Sequence, residues 1–551
     1  MYARLLSALL CVSAGPAPDT LVVCPPAFTA ALDRWVALRE SQGHSIRFHT
    51  DTSSAAAIRA GIRDAARLRR LRFVLLAGDA EPSRGTEEPS ESLAVPTYQA
   101  IARVNVRWGS EPEIATDNWY ADLDDDQLPD VAIGRLTADS VEELTVIVEK
   151  VLAYERIPRP GNWQRRVSIV AGAGGFGPVL DTVLELATKK FLTEGIPPEY
   201  STSLTYGSWR SPYCPDPRML NATTLASLNE GSLLWVYLGH GRPTRLEPMR
   251  LSGYTHHVLD TDDVVRLQRT GGPAIAVFLS CYSGAFDGPQ DCLAESLLRS
   301  PHGPVAAYAG SRVTMPYAMA VMGNELMHEY FLSQSATLGE TILQAKRRMA
   351  ESRSLGASEP RDARYWLDAV ASTLHAGPEF LQAERLEHVL LFNLLGDPLL
   401  KLRRPHILRL DAAPTVAAGQ RLMVSGETAV AGYLTVELVC RRDRTRMPPP
   451  RRQSPPATDA ELAAFDEVYA QANDGRWTAE SCFCSAGPFR AALEVPSDAR
   501  GPCYVVAFVD GGGDSGLGST PVLIRPSDAT ETFERVAEEP GRANGPTTER
   551  H

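Results

Sequence analysis

Two uninterrupted apolar runs, Leu233-Leu-Trp-Val-Tyr-Leu238 and Ala274-Ile-Ala-Val-Phe-Leu279, constrain this chain more than any other feature. Neither carries a charge, and both are bounded by glycine or small polar residues. That is the pattern of strands buried on both faces of a parallel sheet. Each run ends on a reactive side chain: Gly239-His240-Gly241 follows the first and Ser280-Cys281 the second. Between them, Thr261-Asp-Asp-Val-Val-Arg-Leu-Gln-Arg269 reads as a helix, capped by Asp260 or Thr261 and closed by arginines. A strand, a crossover helix and a second strand close right-handed, which sets the two strands side by side. His240 and Cys281 then emerge at one carboxyl edge, where open α/β sheets hold their sites.

A thiol attacks as its thiolate, and a neighbouring imidazole can take the proton. His240 is therefore the candidate general base and acid, and Cys281 the candidate nucleophile. The backbone N–H groups of Gly241 and Cys281 are candidate oxyanion donors, and Gly241 leaves room for a substrate beside the histidine. Taken singly, a cysteine or a histidine here would read as packing; at equivalent ends of paired strands the two point to catalysis.

The order of these residues resembles the signature shared by caspases, legumains, separases and gingipains. Phe278-Leu-Ser-Cys-Tyr-Ser-Gly-Ala-Phe286 with Cys292-Leu-Ala-Glu-Ser-Leu-Leu298 is similar to the gingipain nucleophile segment and the helix after it. Thr116-Asp-Asn-Trp-Tyr-Ala121 and Pro129-Asp-Val-Ala-Ile-Gly-Arg135 resemble a segment that precedes the family's catalytic half. Asn393-Leu-Leu-Gly-Asp-Pro-Leu-Leu400 resembles its end, so the likeness runs over residues 19–404.

The resemblance implies a caspase-like three-layer α/β sandwich in two α/β halves, followed by an all-β immunoglobulin-like domain. It implies a cysteine endopeptidase that takes protein or peptide substrates and needs no cofactor for its chemistry. In arginine-specific gingipains an aspartate at the start of one helix lines the pocket for the basic P1 side chain. The aligned residue is Asp181, which implies a preference for Arg or Lys; as bare sequence, Asp181 is equally a favourable acid in a helix's first turn. The same alignment finds Ala173 or Gly174 where the family can carry a catalytic-site glutamate, leaving His240 without an obvious orienting acid. That departure keeps open a catalytically silent binding or assembly platform on the same fold. The long gingipain propeptide finds no room ahead of the catalytic region.

Residues 1–18 read as a signal peptide, with Arg4, a short apolar run and Val12-Ser-Ala14 as a cleavage site. This implies a secreted or cell-envelope protein; the alternative is a mature N-terminal strand and a cytoplasmic location. Residues 19–160 alternate strand and helix and form the N-terminal α/β half, with Pro158-Arg-Pro-Gly161 as the joint. Residues 161–404 form the catalytic half. Residues 405–525 switch to alternating, turn-bounded strands, an immunoglobulin-like sandwich whose partner is unknown, interrupted by a basic, proline-rich insert at 443–457. Residues 526–551 are polar and read as a disordered tail.

Asp122-Leu-Asp-Asp-Asp-Gln-Leu-Pro-Asp130 offers carboxylates at calcium-loop spacing, so Asp122, Asp124, Asp126 and Asp130 are candidate ligands for a structural calcium. Gln127 stands where such loops carry glycine, and a solvated acidic turn is the alternative. Gly172-Ala-Gly-Gly-Phe-Gly177 is a literal GxGxxG between a strand and a helix, which raises a remote nucleotide-binding alternative. Glu194 closes a helix where that motif needs a second strand. His256 and His257 read as solvated loop residues near the candidate site. A net charge of −12 argues against a general nucleic-acid binder, and no run approaches the ~20 apolar residues of a membrane span. Nine cysteines are too few for a disulfide scaffold, though one bridge among Cys440, Cys482, Cys484 and Cys503 is compatible with their positions.

Overall fold

Apolar strands covered on both faces account for the centre of the molecule. The computed structural model describes residues 17–80, 93–156, 161–172, 195–251, 253–333, 335–351, 363–374, 377–450, 452, 454–456 and 458–527. Its main sheet has ten strands. They are β1 (Thr20–Val23), β2 (Ile46–His49), β3 (Phe73–Ala77), β4 (Ala132–Leu136) and β5 (Arg166–Ala171), then β6 (Ser201–Tyr206), β7 (Leu234–Leu238), β8 (Ile275–Leu279), β9 (Ala306–Gly310) and β10 (Phe392–Leu395). Across the sheet they run β2-β1-β3-β4-β10-β9-β8-β7-β5-β6.

The sheet is two parallel blocks of opposite sense. Strands β2, β1, β3, β4 and β10 are parallel to one another, as are β9, β8, β7, β5 and β6. The blocks meet antiparallel between β9 and β10. The last strand of the catalytic region thus joins the N-terminal block, so the halves of the sheet are not quite the halves of the chain. Helices flank both faces, giving the caspase-like α/β architecture. Local signals hold at several ends. The helix Asp33–Ser41 stops before Gly43, which has φ +92°, and the helix Ala55–Ala66 is capped by Ser54, whose hydroxyl accepts from the Ala57 amide.

Buried charges hold the N-terminal block together and tie β10 into it. Arg135 on β4 forks onto Asp117 with two bonds of 2.8 Å and donates again to the carbonyls of Gly78 and Val95. Asn118 donates to the Phe392 carbonyl on β10, and buried Lys346 donates to that carbonyl and to Asn118. Burial pushes Lys346 down to about 7 against the pull of Asp117. The segments around Thr116 and Arg135, which carried part of the resemblance, therefore build the seam of the sheet.

One expectation fails between β7 and β8. The connection is not a crossover helix but two short hairpins, Gly241–Arg242 with Arg245–Leu246 and Met249–Leu251 with Tyr254–His256, then a 3-10 turn at Thr261–Arg266. The capping box is real: Asp260 accepts from the Asp263 amide and Asp263 from the Asp260 amide. Only Val264 and Leu267 find apolar cover, while Val265 is 89% exposed, so one turn suffices.

Residues 405–527 form a second unit, with a six-stranded and a three-stranded sheet around a separate apolar core. It is not all-β. A 15-residue helix, Asp459–Asn473, is inserted between the strands Gly432–Cys440 and Arg476–Cys484. Its capping box, Thr458 with Glu461, was present in the sequence but stood beside a proline-rich stretch. The helix docks on the main domain. Phe465 is buried in the main core, Arg452 lies over its ring and donates to the carbonyls of Trp209 and Ser211, and Tyr469 meets the Thr205 hydroxyl. Asn473 both accepts from the Leu204 amide and donates to the Leu204 carbonyl on β6. Cys440 and Cys503 face each other in register, and the eight described cysteines are all free thiols, so the bridge their positions allow is not formed among them. The signal-like residues 1–16 and the tail from 528 onward lie outside the described residues. Among those described, no helix is long and apolar enough to cross a membrane.

Candidate active site

Strands β7 and β8 are neighbours and parallel, with Leu238 paired to Leu279. His240 and Cys281 each stand two residues beyond that pair, on equivalent turns at one edge. The turns lie against each other. A Cβ on Gly241 would sit 2.5 Å from the Cys281 carbonyl oxygen and 2.7 Å from Ser283 Oγ. Glycine at 241 thus lets the histidine turn rest on the cysteine turn; the room expected there for substrate is taken by the Cys281 backbone. Gly239, with φ +152°, makes the bend, and its amide donates to the Leu279 carbonyl.

The His240 carbonyl accepts from Tyr237 Oη–H at 2.8 Å and from the Glu247 amide at 3.1 Å. The first hairpin, with Gly241 paired to Leu246, brings residue 247 directly opposite residue 240. Glu247 Oε2 consequently lies 3.8 Å from His240 Nε2. The sequence reading missed this carboxylate. Its signal was Arg242-Pro-Thr-Arg245, a two-residue turn that carries the chain back past the histidine.

The nucleophile turn is bracketed on all sides. Tyr282 adopts a left-handed φ of +58°, a conformation that costs energy in a side-chain-bearing residue and that clusters at functional turns. Its amide donates to the Arg312 carbonyl and its hydroxyl to Glu111. Arg312 forks onto Asp287, and the hydroxyls of Ser280 and Ser283 meet at 2.7 Å. The Thr314 amide donates to Cys281 Sγ at 3.3 Å, with Thr314 Oγ1 3.5 Å from the same sulfur.

Other candidates separate from this pair. Asp181, Ala173, Gly174 and Glu194 lie outside the described residues, as does the GxGxxG beyond Gly172. Gly172 itself is packed against Tyr237 and Gly239. His256 lies beside Asp216 and Arg218, and burial pushes it below its ordinary value. His257 Nε2 is 3.5 Å from Asp263 Oδ2.

Three ligand-like groups converge among the described residues. Asp122, Asp124 and Asp130 come together, and Asp126 does not join them. Asp122 accepts from the amides of Asp125 and Gln127, and Asp130 from Leu123 and from Arg347. Gln127 takes the left-handed φ of +74° that glycine takes in calcium loops. These carboxylates also close their own turn, and three of the four candidate calcium ligands stand within reach of one another. Asp79, Asp139 and Asp291 surround Arg299, whose guanidinium is their counter-charge. The third group is His257 with Asp260 and Asp263 at the capping box.

The family model described as peptidase family C25 matches residues 13–403. Lys-gingipain of Porphyromonas gingivalis is 24% identical over 299 residues, covering 53% of this chain and 15% of that protein. Gingipain R2 of the same organism is 27% identical over 225 residues, covering 40% of this chain and 28% of its own length. The matches thus span less than a third of these relatives. The crystal structure of the Arg-specific cysteine proteinase gingipain R superposes with a TM-score of 0.50 at 16% identity, over 92% of this chain and 98% of that one. At that identity the superposition shows a shared fold. With the family model spanning both α/β halves and both reactive strand ends, the chain belongs to peptidase family C25.

Proposed function

We propose that the protein is a cysteine endopeptidase that cleaves its protein or peptide substrates after Arg or Lys. The observation that carries this reading is the register of β7 and β8, which presents an imidazole and a thiol from equivalent turns in mutual contact. Cys281 Sγ attacks the scissile carbonyl, and His240 takes the thiol proton and returns it to the leaving amine. The amides of Gly241 and Cys281 serve the developing oxyanion. The acyl-enzyme is then hydrolysed by water, for which His240 acts as base. Glu247 supplies the carboxylate that the alignment with the family left missing. The basic P1 preference is supported by the names of the relatives and by the aligned Asp181.

The test is cleavage of a mixed peptide library by the full chain under reducing conditions, beside Cys281→Ala. Cleavage after basic residues that vanishes in the variant supports the proposal. Cleavage that persists in the variant overturns Cys281 as nucleophile. No cleavage by either, with Cys281 unreactive to a thiol-directed peptide probe, would favour a silent platform.

A further inference from the structure

The start of the 17-residue helix Pro316–Leu332 is capped in an unusual way. Its N-cap residue, Met315, makes no side-chain capping bond, so its leading N–H groups must find acceptors elsewhere. The Ala318 amide donates to Glu384 Oε1 at 3.2 Å and the Met315 amide to His388 Nε2 at 2.8 Å. Both acceptors belong to the helix Leu381–Leu391. The amide of Thr314, one residue ahead, donates to Cys281 Sγ. The sulfur thus accepts from the amide just ahead of the helix, while Glu384 takes the capping place at Ala318.

We propose that Thr314 is a further catalytic residue that stabilises the Cys281 thiolate, and that His388 is the positioning residue that holds Thr314 to the sulfur. This rests on the assignment of Cys281 as nucleophile. Thr314 offers two donors. The amide is fixed by the chain. The hydroxyl donates to Met319 Sδ at 2.8 Å, and rotation about one bond turns it onto the sulfur once the thiol proton has gone. Thr314 is buried, where water screens such bonds little.

His388 fixes the Thr314-Met315 segment in one orientation. Its Nδ1–H donates to the Glu384 carbonyl at 2.7 Å, which leaves Nε2 as the acceptor for Met315. The ring is 1% exposed, and burial holds it in the neutral form that this role requires. On its own helix, Glu384 accepts from Ala318 and Arg385 donates to the Tyr317 hydroxyl at the same junction, while Glu387 accepts from the amides of Arg103, Val104 and Asn105. Besides His240, the titratable groups near the thiol are Tyr237, whose hydroxyl donates to the His240 carbonyl, and Tyr282 on the cysteine turn, whose hydroxyl donates to Glu111. Neither donates to the sulfur among the bonds described.

The experiment is alkylation of Cys281 by iodoacetamide in the full chain from about pH 5 to pH 9, located by peptide mapping because Cys482 is also exposed. Thr314→Val keeps the amide and removes the hydroxyl. It should slow alkylation at neutral pH by about tenfold and move the profile to higher pH, whereas Thr314→Ser stays within about twofold of the parent. His388→Leu should slow it likewise, and His388→Gln, which restores an acceptor for Met315, should recover most of the rate. Profiles of Thr314→Val and folded His388→Leu that overlay the parent would overturn the proposal. Thr314→Val decides alone where His388→Leu does not fold. Parent Cys281 that alkylates as expected while the library stays uncut would overturn the peptidase reading, and with it a catalytic role for Thr314, and leave only the stabilisation of the thiolate. Cleavage with unchanged Thr314→Val kinetics and alkylation would do the reverse.

Discussion

Glu247 stands across a hairpin from His240, its Oε2 3.8 Å from the ring's Nε2. A carboxylate on one imidazole nitrogen holds the ring's orientation and stabilises the imidazolium formed when the other nitrogen takes a proton. Both side chains are partly exposed, at 33% and 42%, so the pair contributes little to folding stability.

Glu247→Gln is therefore expected to lower kcat about tenfold or more while leaving the melting temperature within a degree or two. Steady-state kinetics against pH beside a thermal melt checks this; unchanged kcat would remove Glu247 from the catalytic group.

The Arg135–Asp117 fork at the seam carries the opposite expectation. Asp117→Ala leaves a fully buried guanidinium without its charge partner, a loss of about 3–5 kcal/mol. Denaturant unfolding should show it. Arg135→Lys should fail to restore stability, because an ammonium cannot span both oxygens of Asp117 and the carbonyls of Gly78 and Val95 together.

His388 makes stability depend on acid. An unfolded imidazole titrates at its ordinary value of 6.5, while burial pushes the folded one down to about 4. Between those values the unfolded chain binds more protons, so stability that is complete above the upper value is lost as pH falls toward the lower. The loss is about 3 kcal/mol in total. Unfolding free energies from pH 7 to pH 4 should show this slope, and His388→Gln should flatten it.

The inserted helix buries one ring, Phe465, in the core of the main domain. Phe465→Ala removes that ring and the surface on which Arg452 lies, and about 3 kcal/mol of stability should go with it. Hydrogen exchange should quicken along β6 and the segment around Trp209. Exchange that rises only within the second unit would show that the docking contributes nothing to the main domain.

Legibility followed locality. Buried strands were readable because a parallel sheet covered on both faces demands unbroken apolar runs, and the placing of residues 240 and 281 on neighbouring turns followed because two runs ended alike. The seam motif around Asp117 and Arg135 was visible as a pattern, but its role was not, since it depends on β10, which arrives more than 250 residues later. Thr314 and His388 were unreadable for the same reason, whereas Glu247 needed only the two-residue turn after Arg242 to be recognised. Nothing in Thr314's neighbours points to a cysteine 33 residues earlier until β8 and β9 are laid side by side. The crossover helix was misread because one turn of apolar spacing does not distinguish a 3-10 turn from an α-helix. The inserted helix was hidden by the prolines before it.

Asn473 gives the second unit a role that chemistry at the dyad does not reveal. A sheet of this kind ends in unpaired amides and carbonyls, and a bare outer strand is an invitation for another chain to add on. By meeting both the amide and the carbonyl of Leu204, one asparagine side chain occupies a position that a foreign strand would need on β6. Separating the C-terminal unit from the rest would therefore leave a sticky rim as well as a smaller protein, and the isolated α/β region should self-associate where the whole chain stays apart.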